Sequence, residues 1–123
     1  MKQQTKRQRL GNIGENLAAE YLQKHGYHIL ERNFKKRYGE LDIVALEGNK
    51  LVFVEVKTRS SNLFGTGAEA ITPWKLRALV RSAQFYKLRY PELPDLMRID
   101  VVSVSLSPSG EVEEIELIKN ATG

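Results

Sequence analysis

Two apolar, β-branched runs separated by a short polar segment constrain the fold of this chain most. The runs are residues 41–46 (LDIVAL) and 51–58 (LVFVEVKT), and the segment between them contains Gly48 and Asn49. Both residue types tolerate the dihedral angles of a tight turn, so the pattern predicts a β-hairpin.

The register of this hairpin places several charged side chains close together at the end away from the turn. A turn centred between the glycine and the asparagine places Asp42 opposite Glu55 and Glu40 opposite Lys57. Because side chains alternate along a strand, all four lie on one face, whose other half is apolar. Two carboxylates placed directly opposite each other destabilise a sheet. A divalent cation bound by both would offset that repulsion, and Mg²⁺ is usually held by one or two carboxylates together with waters and phosphate oxygens.

The same charges also allow a purely structural interpretation. On a solvated face, Glu40 with Lys57 and Glu55 with Arg59 would be cross-strand ion pairs. The apolar half of the face argues against this interpretation, as does the opposition of Asp42 and Glu55, because structural pairing has no reason to oppose two acids. We therefore interpret the face as a metal-binding site able to cleave a phosphodiester.

A third acid lies upstream of the hairpin. Apolar residues recur at helical spacing between Asn12 and His25, and Gly26 is a typical stop, which together predict an amphipathic helix. Glu15 falls on the core-facing arc of this helix rather than on its polar arc. An acid near a helix start can also favour the helix dipole or cap the N-terminus. The helix alone leaves both interpretations open, and the acidic hairpin favours the functional one.

These residues resemble a known nuclease signature. Glu15, then residues 39–42 (GELD), then residues 53–57 (FVEVK) are similar to the PD-(D/E)-x-K pattern, in an order similar to that of archaeal Holliday-junction resolvases. More closely, the chain resembles the YraN-type family of small bacterial proteins across most of its length. The matching stretches are residues 11–22, 26–33, 39–59, 71–86 and 98–102. Leu41 stands where the signature has proline, a residue that contributes no ligand.

The resemblance implies a restriction-endonuclease-like α/β fold and a set of site residues. The fold is a mixed sheet flanked by helices, in the order αβββαββ. Asp42, Glu55 and the Val56 carbonyl would bind Mg²⁺ or Mn²⁺, Lys57 would lie beside the attacking water, and Glu15 would be an accessory acid. Glu40 would be a further accessory acid. Glu40 and Glu15 together leave open whether the site binds one metal ion or two.

The function expected from these residues is metal-dependent endonucleolytic hydrolysis of DNA. Branched or damaged DNA is the substrate suggested by analogy with resolvases. The alternative is a non-catalytic nucleic-acid-binding module of the same fold, for DNA or structured RNA, and a third class is an adaptor that recruits other proteins. The presence of all four signature residues, Glu15, Asp42, Glu55 and Lys57, favours the enzyme. Resolvase-like enzymes act as dimers, which leaves a homodimer open here.

The charge distribution is consistent with a nucleic-acid partner. The formal net charge is +4, and positive charge collects near the N-terminus, just before the hairpin and along the second helix. Such clusters neutralise backbone phosphates without reading base sequence. The predicted contact residues are Lys35, Lys36, Arg37, Arg59 and Lys75. The aromatic side chains of Tyr38 and Trp74 lie beside positive charge and are suited to stacking on unpaired bases. For Trp74, burial in the core is the favoured interpretation.

Length and composition describe a single domain. The 123 residues are enough for one core, with residues 1–10 expected to be a basic N-terminal arm and residues 119–123 a tail. The absence of cysteine excludes disulfides and thiolate metal sites. Without a long apolar run or a secretory signal, the expected location is the cytoplasm. His25 and His28 are interpreted as structural.

The remaining elements are expected to be scaffold. Strands are predicted at 27–33, 97–106 and 111–118, and a helix that Pro73 opens runs to about residue 90. Asp100 is expected to have a structural role, in which it pairs with Arg98 or with another basic side chain nearby. The polar, glycine-bearing loop at 59–70 follows the catalytic strand and is expected to order over substrate.

Overall fold

A five-stranded mixed sheet with a helix on each face makes up the fold. The computed structural model describes residues 4–36, 39–60 and 71–122. In chain order the elements are α1 (Lys6–Lys24), β1 (His28–Lys36), β2 (Gly39–Glu47), β3 (Lys50–Ser60), α2 (Pro73–Arg89), β4 (Leu96–Leu106) and β5 (Val112–Ile118). The strands are ordered β1-β2-β3-β4-β5; β3 and β4 are parallel and the other neighbours antiparallel. The predicted α/β class and the order αβββαββ are confirmed.

The two helices divide the core between the faces of the sheet. The parallel pairing of β3 with β4 requires a crossover connection, which contains α2. On one face, Ala18 and Leu22 of α1 pack in a cluster with Val52 and Val54. On the other face, Tyr86 of α2 belongs to a cluster with Phe53 and other sheet residues. Both clusters therefore include β3, and its side chains alternate between them as the hairpin pattern predicts.

Helix α1 begins at Lys6 rather than at Asn12, because a capping box starts it earlier. The Thr5 hydroxyl accepts a hydrogen bond from the Gln8 amide at 3.0 Å, and the Gln8 side chain accepts one from the Thr5 amide at 2.9 Å. Half of the expected N-terminal arm is thus helical. Glu15 consequently lies in the middle of the helix, so its interpretation as a first-turn or capping acid is wrong.

The hairpin turn is as predicted, but the hairpin opens sooner than expected. Backbone pairing of β2 with β3 runs from Glu47 opposite Lys50 to Ile43 opposite Val54. The expected backbone pairs of Asp42 and Glu40 with β3 lie beyond this paired stretch. The reason is that the Val56 amide donates to the Asp42 carboxylate, at 2.8 Å, instead of to a strand carbonyl.

Beyond this point β2 stays with β1 and leaves β3. Phe34 pairs with Leu41, and Lys35 pairs with Glu40. The strict alternation expected along β2 also fails here, because Leu41 and Val44 pack in the same cluster against α2. The separation of β2 from β3 opens a groove at this end of the sheet.

The opposite end of the sheet is closed by a buried ionic network around Asp100, which is fully buried. Its carboxylate accepts hydrogen bonds from Arg98 Nε and from the Tyr27 hydroxyl, each at 2.8 Å. The Asn120 amide donates to the same carboxylate at 2.9 Å, and Arg98 also pairs with Glu47 at 2.6 Å. The structural role and the Arg98 partner expected for Asp100 are confirmed.

Some expectations concern residues outside the described ranges. Arg37, Tyr38 and loop residues 61–70 fall there. Neither helix in the described part of the chain combines the length and apolar content needed to cross a membrane.

Candidate active site

The groove between β2 and β3 brings the predicted acids and bases together. Its volume is about 1250 Å³, and its walls are the N-terminal half of α1, the strand ends and the first turn of α2. Among its lining residues are four acids, Glu15, Glu40, Asp42 and Glu55. The lining cations are Lys6, Arg7, Lys35, Lys57 and Lys75. Acids and cations thus share one concave surface.

Asp42 is partly buried at the point where the strands part. Burial, then the charge of Glu55, raises the pKa of Asp42 from 3.8 to about 7. The hydrogen bond from the Val56 amide opposes this rise, while the charges of Glu40 and Glu15 add to it. All four acids therefore share one electrostatic environment. A cation bound among these acids would reduce their mutual repulsion, and this gain would stabilise the bound cation.

Glu55 is the more deeply placed of the two central acids, with only 6% of its surface exposed. Its Oε1 lies 3.2 Å from Lys75 Nζ and 3.9 Å from Lys57 Nζ. Two ammonium groups on different elements, β3 and α2, thus hold one carboxylate oxygen. A buried carboxylate requires such partners, because an unpaired buried charge is costly.

The two lysines influence each other's protonation. Burial lowers the pKa of Lys57, and the adjacent Lys75 ammonium lowers it further. For Lys75 burial acts in the same sense, but hydrogen bonding with Lys57 and the charge of Glu55 outweigh it and raise its pKa. Of the pair, Lys57 is therefore the readier to release a proton. Sequence reasoning made Lys75 only a phosphate contact; its contact with Glu55 makes it part of the site.

Glu15 reaches the groove from α1 but is tied to a neighbouring strand. Its Oε1 accepts a hydrogen bond from Arg32 Nε at 3.0 Å, and Arg32 also donates to Asn16 at 2.7 Å. Its position depends on Gly14, since a Cβ added there would lie 1.8 Å from Thr58 Oγ1. Glycine therefore permits the close contact of α1 with β3. Sequence reasoning missed Gly14, because a glycine inside a helix gives no sign of what it faces.

The predicted phosphate contacts are distributed unevenly. Within the described ranges, Lys35 and Lys75 line the groove, whereas Lys36 and Arg59 are not among its lining residues. Lys6 and Arg7, which were assigned to the arm, do line it. Trp74 was expected in the core, but 69% of its surface is exposed, because the core-facing residues of α2 are Leu79, Ala83 and Tyr86.

The first turns of both helices carry cations where helix electrostatics favours acids. Neither α1 nor α2 has an acidic residue in its first turn, while Lys6, Arg7 and Lys75 lie near the two N-termini. A helix N-terminus already has partial positive charge, so these cations work against helix stability. Together with the helix ends, they make the rim of the groove attractive to an anion such as a phosphate.

The donor set at the centre of the groove suits a hard divalent cation. Asp42, Glu55 and the Val56 carbonyl offer oxygen donors, the type that Mg²⁺ and Mn²⁺ prefer. Over the described ranges, no group of three or more His, Asp or Glu side chains is arranged to hold a metal ion. Two carboxylates fit Mg²⁺, which keeps several waters, better than they fit a metal that needs a full protein cage.

Comparison with known proteins matches a recognised sequence family over a stretch that includes all four acids of the groove. The family model described as "Uncharacterised protein family UPF0102" matches residues 14–104. A UPF0102 protein of Caldicellulosiruptor saccharolyticus is 52% identical over 112 residues, covering 91% of this chain and 95% of the relative. A UPF0102 protein of Geobacter metallireducens is 46% identical, covering 91% and 90%. The UPF0102 protein STH1475 of Symbiobacterium thermophilum is also 46% identical, covering 92% and 95%.

Proposed function

Since this chain belongs to the uncharacterised protein family UPF0102, we propose its function from the groove itself: a metal-dependent endonuclease that hydrolyses phosphodiester bonds of DNA. The observation that carries the proposal is the meeting of Asp42 and Glu55 with Lys57 and Lys75 where β2 leaves β3. Two acids and two ammonium groups, in a groove that further cations line, match the needs of phosphodiester cleavage.

Asp42, Glu55 and the Val56 carbonyl would hold Mg²⁺ or Mn²⁺. When bound, the ion supplies a water of lowered pKa and stabilises charge on the scissile phosphate. The protein's own contribution is to hold these oxygens in place. Asp42 is fixed by the Val56 amide, and Glu55 by Lys75 on the opposite element.

Lys57 would orient the attacking water and stabilise negative charge in the transition state. It lies 3.9 Å from Glu55 on the same strand and has a lowered pKa, so it can give or take a proton near the scissile bond. Glu15 would act on the other side of the groove, restrained by Arg32. The cations at the rim would hold the phosphates that flank the cleavage point.

The experiment is a cleavage assay on end-labelled duplex, four-way junction and single-stranded DNA, with Mg²⁺, Mn²⁺ or a chelator. We expect cleavage only with a divalent ion, and a loss on the order of 100-fold or more for Asp42→Ala and for Glu55→Gln. Asp95→Ala is the matched control. Its side chain is 97% exposed and pairs with Lys87, away from the groove, so its activity should equal that of the wild type.

Two results would contradict the proposal. One is cleavage that persists in Asp42→Ala, which would indicate a contaminating nuclease. The other is binding of DNA with no cleavage under any condition, which favours the non-catalytic module. The observation that favours this second function is the pairing of Glu55 with two ammonium groups. Branched or damaged DNA is the proposed substrate class, and the junction substrate tests it directly.

A further inference from the structure

The exposed face of α2 carries an aromatic side chain and two arginines that the proposed function does not use. Trp74, Arg77, Ala78 and Arg81 line a shallow depression of about 270 Å³ on that face. Their spacing of three, four and seven residues puts them in one row along the helix. We propose that Trp74, Arg77 and Arg81 form a platform on which an unpaired nucleobase stacks beside the cleavage groove. The inference rests on the proposed function, because it names the kind of substrate that the groove receives.

The indole is available for stacking because it is not part of the core. With 69% of its surface exposed, Trp74 presents a large aromatic surface to solvent. Base–aromatic stacking tolerates every sequence, since each base has a π-face. An unpaired base can reach such a surface, whereas a base inside an intact duplex cannot leave its own stack without a penalty.

The charge around the indole is complementary to a nucleic-acid backbone. Helix α2 contains five lysines and arginines and no acid. Arg77 and Arg81 are exposed, and over the described ranges no carboxylate pairs with either of them. An arginine that has no protein partner can bind phosphate with two parallel hydrogen bonds.

The platform adjoins the proposed active site. Trp74 directly precedes Lys75, whose ammonium lies 3.2 Å from Glu55 in the groove. From Trp74 to Arg81 the helix rises roughly 10 Å, a length comparable to a few nucleotides of a single strand. A strand that leaves the groove past Lys75 therefore meets the indole first and the two arginines next. A substrate with unpaired bases next to the scissile bond, such as a branch point, gap or flap, fits this arrangement.

Trp74 is the chain's one tryptophan, so its fluorescence reports on the platform directly. The experiment titrates the protein, in a chelator to prevent cleavage, with fluorescein-labelled single-stranded DNA, single-stranded RNA, gapped duplex and blunt duplex. Anisotropy measures total binding in every variant, and unlabelled ligands are used to follow the quenching of Trp74. The variants are Trp74→Ala, Trp74→Phe and the double change Arg77→Gln with Arg81→Gln. The matched control is Leu88→Ala, because Leu88 is 80% exposed on the same row of α2, two turns further on.

We expect single-stranded and gapped ligands to quench Trp74, and Trp74→Ala to weaken their binding by about 5- to 100-fold. Trp74→Phe should restore most of that loss, and Leu88→Ala should bind as the wild type does. Blunt duplex should bind Trp74→Ala and the wild type equally. The DNA and RNA arms show which backbone the platform accepts.

Three outcomes would overturn the platform. Equal binding by Trp74→Ala and the wild type, without quenching, removes it while the nuclease proposal stands, because cleavage is measured separately. A second contradicting result is that none of the nucleic acids binds the wild-type protein. The third outcome is a dimer of the wild type that Trp74→Ala abolishes in sedimentation, since Trp74 would then face a second copy of the chain.

Discussion

Asp42 is held in the groove at a cost to the stability of the fold. Its pKa is raised to about 7, with burial as the first cause, so the folded protein keeps this proton over a pH range in which the unfolded chain has released it. Between pH 4 and 7 the folded state therefore binds more protons than the unfolded state. The contribution of Asp42 to the free energy of unfolding consequently falls as the pH rises from 4 to 7.

Replacing Asp42 by asparagine should therefore stabilise the metal-free protein. We expect Asp42→Asn to raise the free energy of unfolding by roughly 1 to 3 kcal/mol at pH 8, and by less at pH 5, where the folded carboxyl is already neutral. The amide oxygen can still accept the hydrogen bond from Val56. The measurement is urea denaturation at both pH values, in a chelator.

A control carboxylate separates this effect from a general loss of charge. Asp95→Asn changes an exposed acid and should leave the pH dependence of unfolding as it is in the wild type. A destabilised Asp42→Asn at pH 8 would mean that the aspartate stabilises the fold through its hydrogen bond more than repulsion and burial destabilise it.

Among the elements, α1 and β3 are joined by a contact that only glycine allows. A Cβ at Gly14 would overlap Thr58, whereas one at Gly11, on the same helix, meets nothing within 4 Å. We expect Gly14→Ala to destabilise the protein by about 1 to 3 kcal/mol through overpacking. Gly11→Ala should stabilise it by about 0.5 to 1 kcal/mol, because alanine is the better helix former. Denaturation of the two variants side by side makes the comparison.

The origin of the Gly14 effect can be tested with a second change on β3. Thr58→Gly removes the side chain that the new methyl group would overlap. If overpacking is the cause, the double variant should lose less stability than the sum of the two single changes. Equal losses for Gly11→Ala and Gly14→Ala would instead show that the close contact has no energetic importance.

Elements whose pattern is local were predicted from the sequence, and contacts set by tertiary structure were not. The Gly48 turn and the start of α2 follow from turn, proline and capping preferences. The separation of β2 from β3 depends on one side chain replacing a strand partner, which periodicity does not reveal. For α1, the capping box lies in a polar segment, so a search for apolar periodicity starts the helix too late.

In the candidate site, too, the contacts that depend on local pattern were predicted and those that depend on tertiary packing were not. The hairpin pattern predicted that Asp42 and Glu55 would lie close together. The approach of Lys75 to Glu55 was not readable, because it depends on how the crossover helix is placed over the sheet. Trp74 was misassigned to the core, since residue type alone favours burial of an indole and the surface row of α2 is defined only by the packed helix.

For the molecule as a whole, we expect the four acids around one groove to make its stability sensitive to divalent ions. A ligand that binds only the folded state stabilises it by mass action, by about 1.4 kcal/mol at ten times its dissociation constant. We expect Mg²⁺ or Mn²⁺ at pH 8 to raise the melting temperature of the wild type, and to have little effect on Glu55→Gln. Thermal unfolding at constant ionic strength, with KCl in place of the divalent salt, is the measurement.

An equal rise in the wild type and in Glu55→Gln would place the ion elsewhere on the protein. No rise up to millimolar concentrations would contradict a metal site in the isolated protein. The KCl series serves as the control, because the protein's net charge of +4 makes general salt effects expected.

The position of the single tryptophan has a practical consequence for all of these unfolding measurements. Because Trp74 is largely exposed in the folded protein, denaturation moves its indole from one aqueous environment to another. Its emission maximum should therefore change little across the transition, and a flat trace would be no sign of a stable fold. Circular dichroism in the far ultraviolet follows both helices and the sheet, and is the appropriate probe of denaturation for this chain.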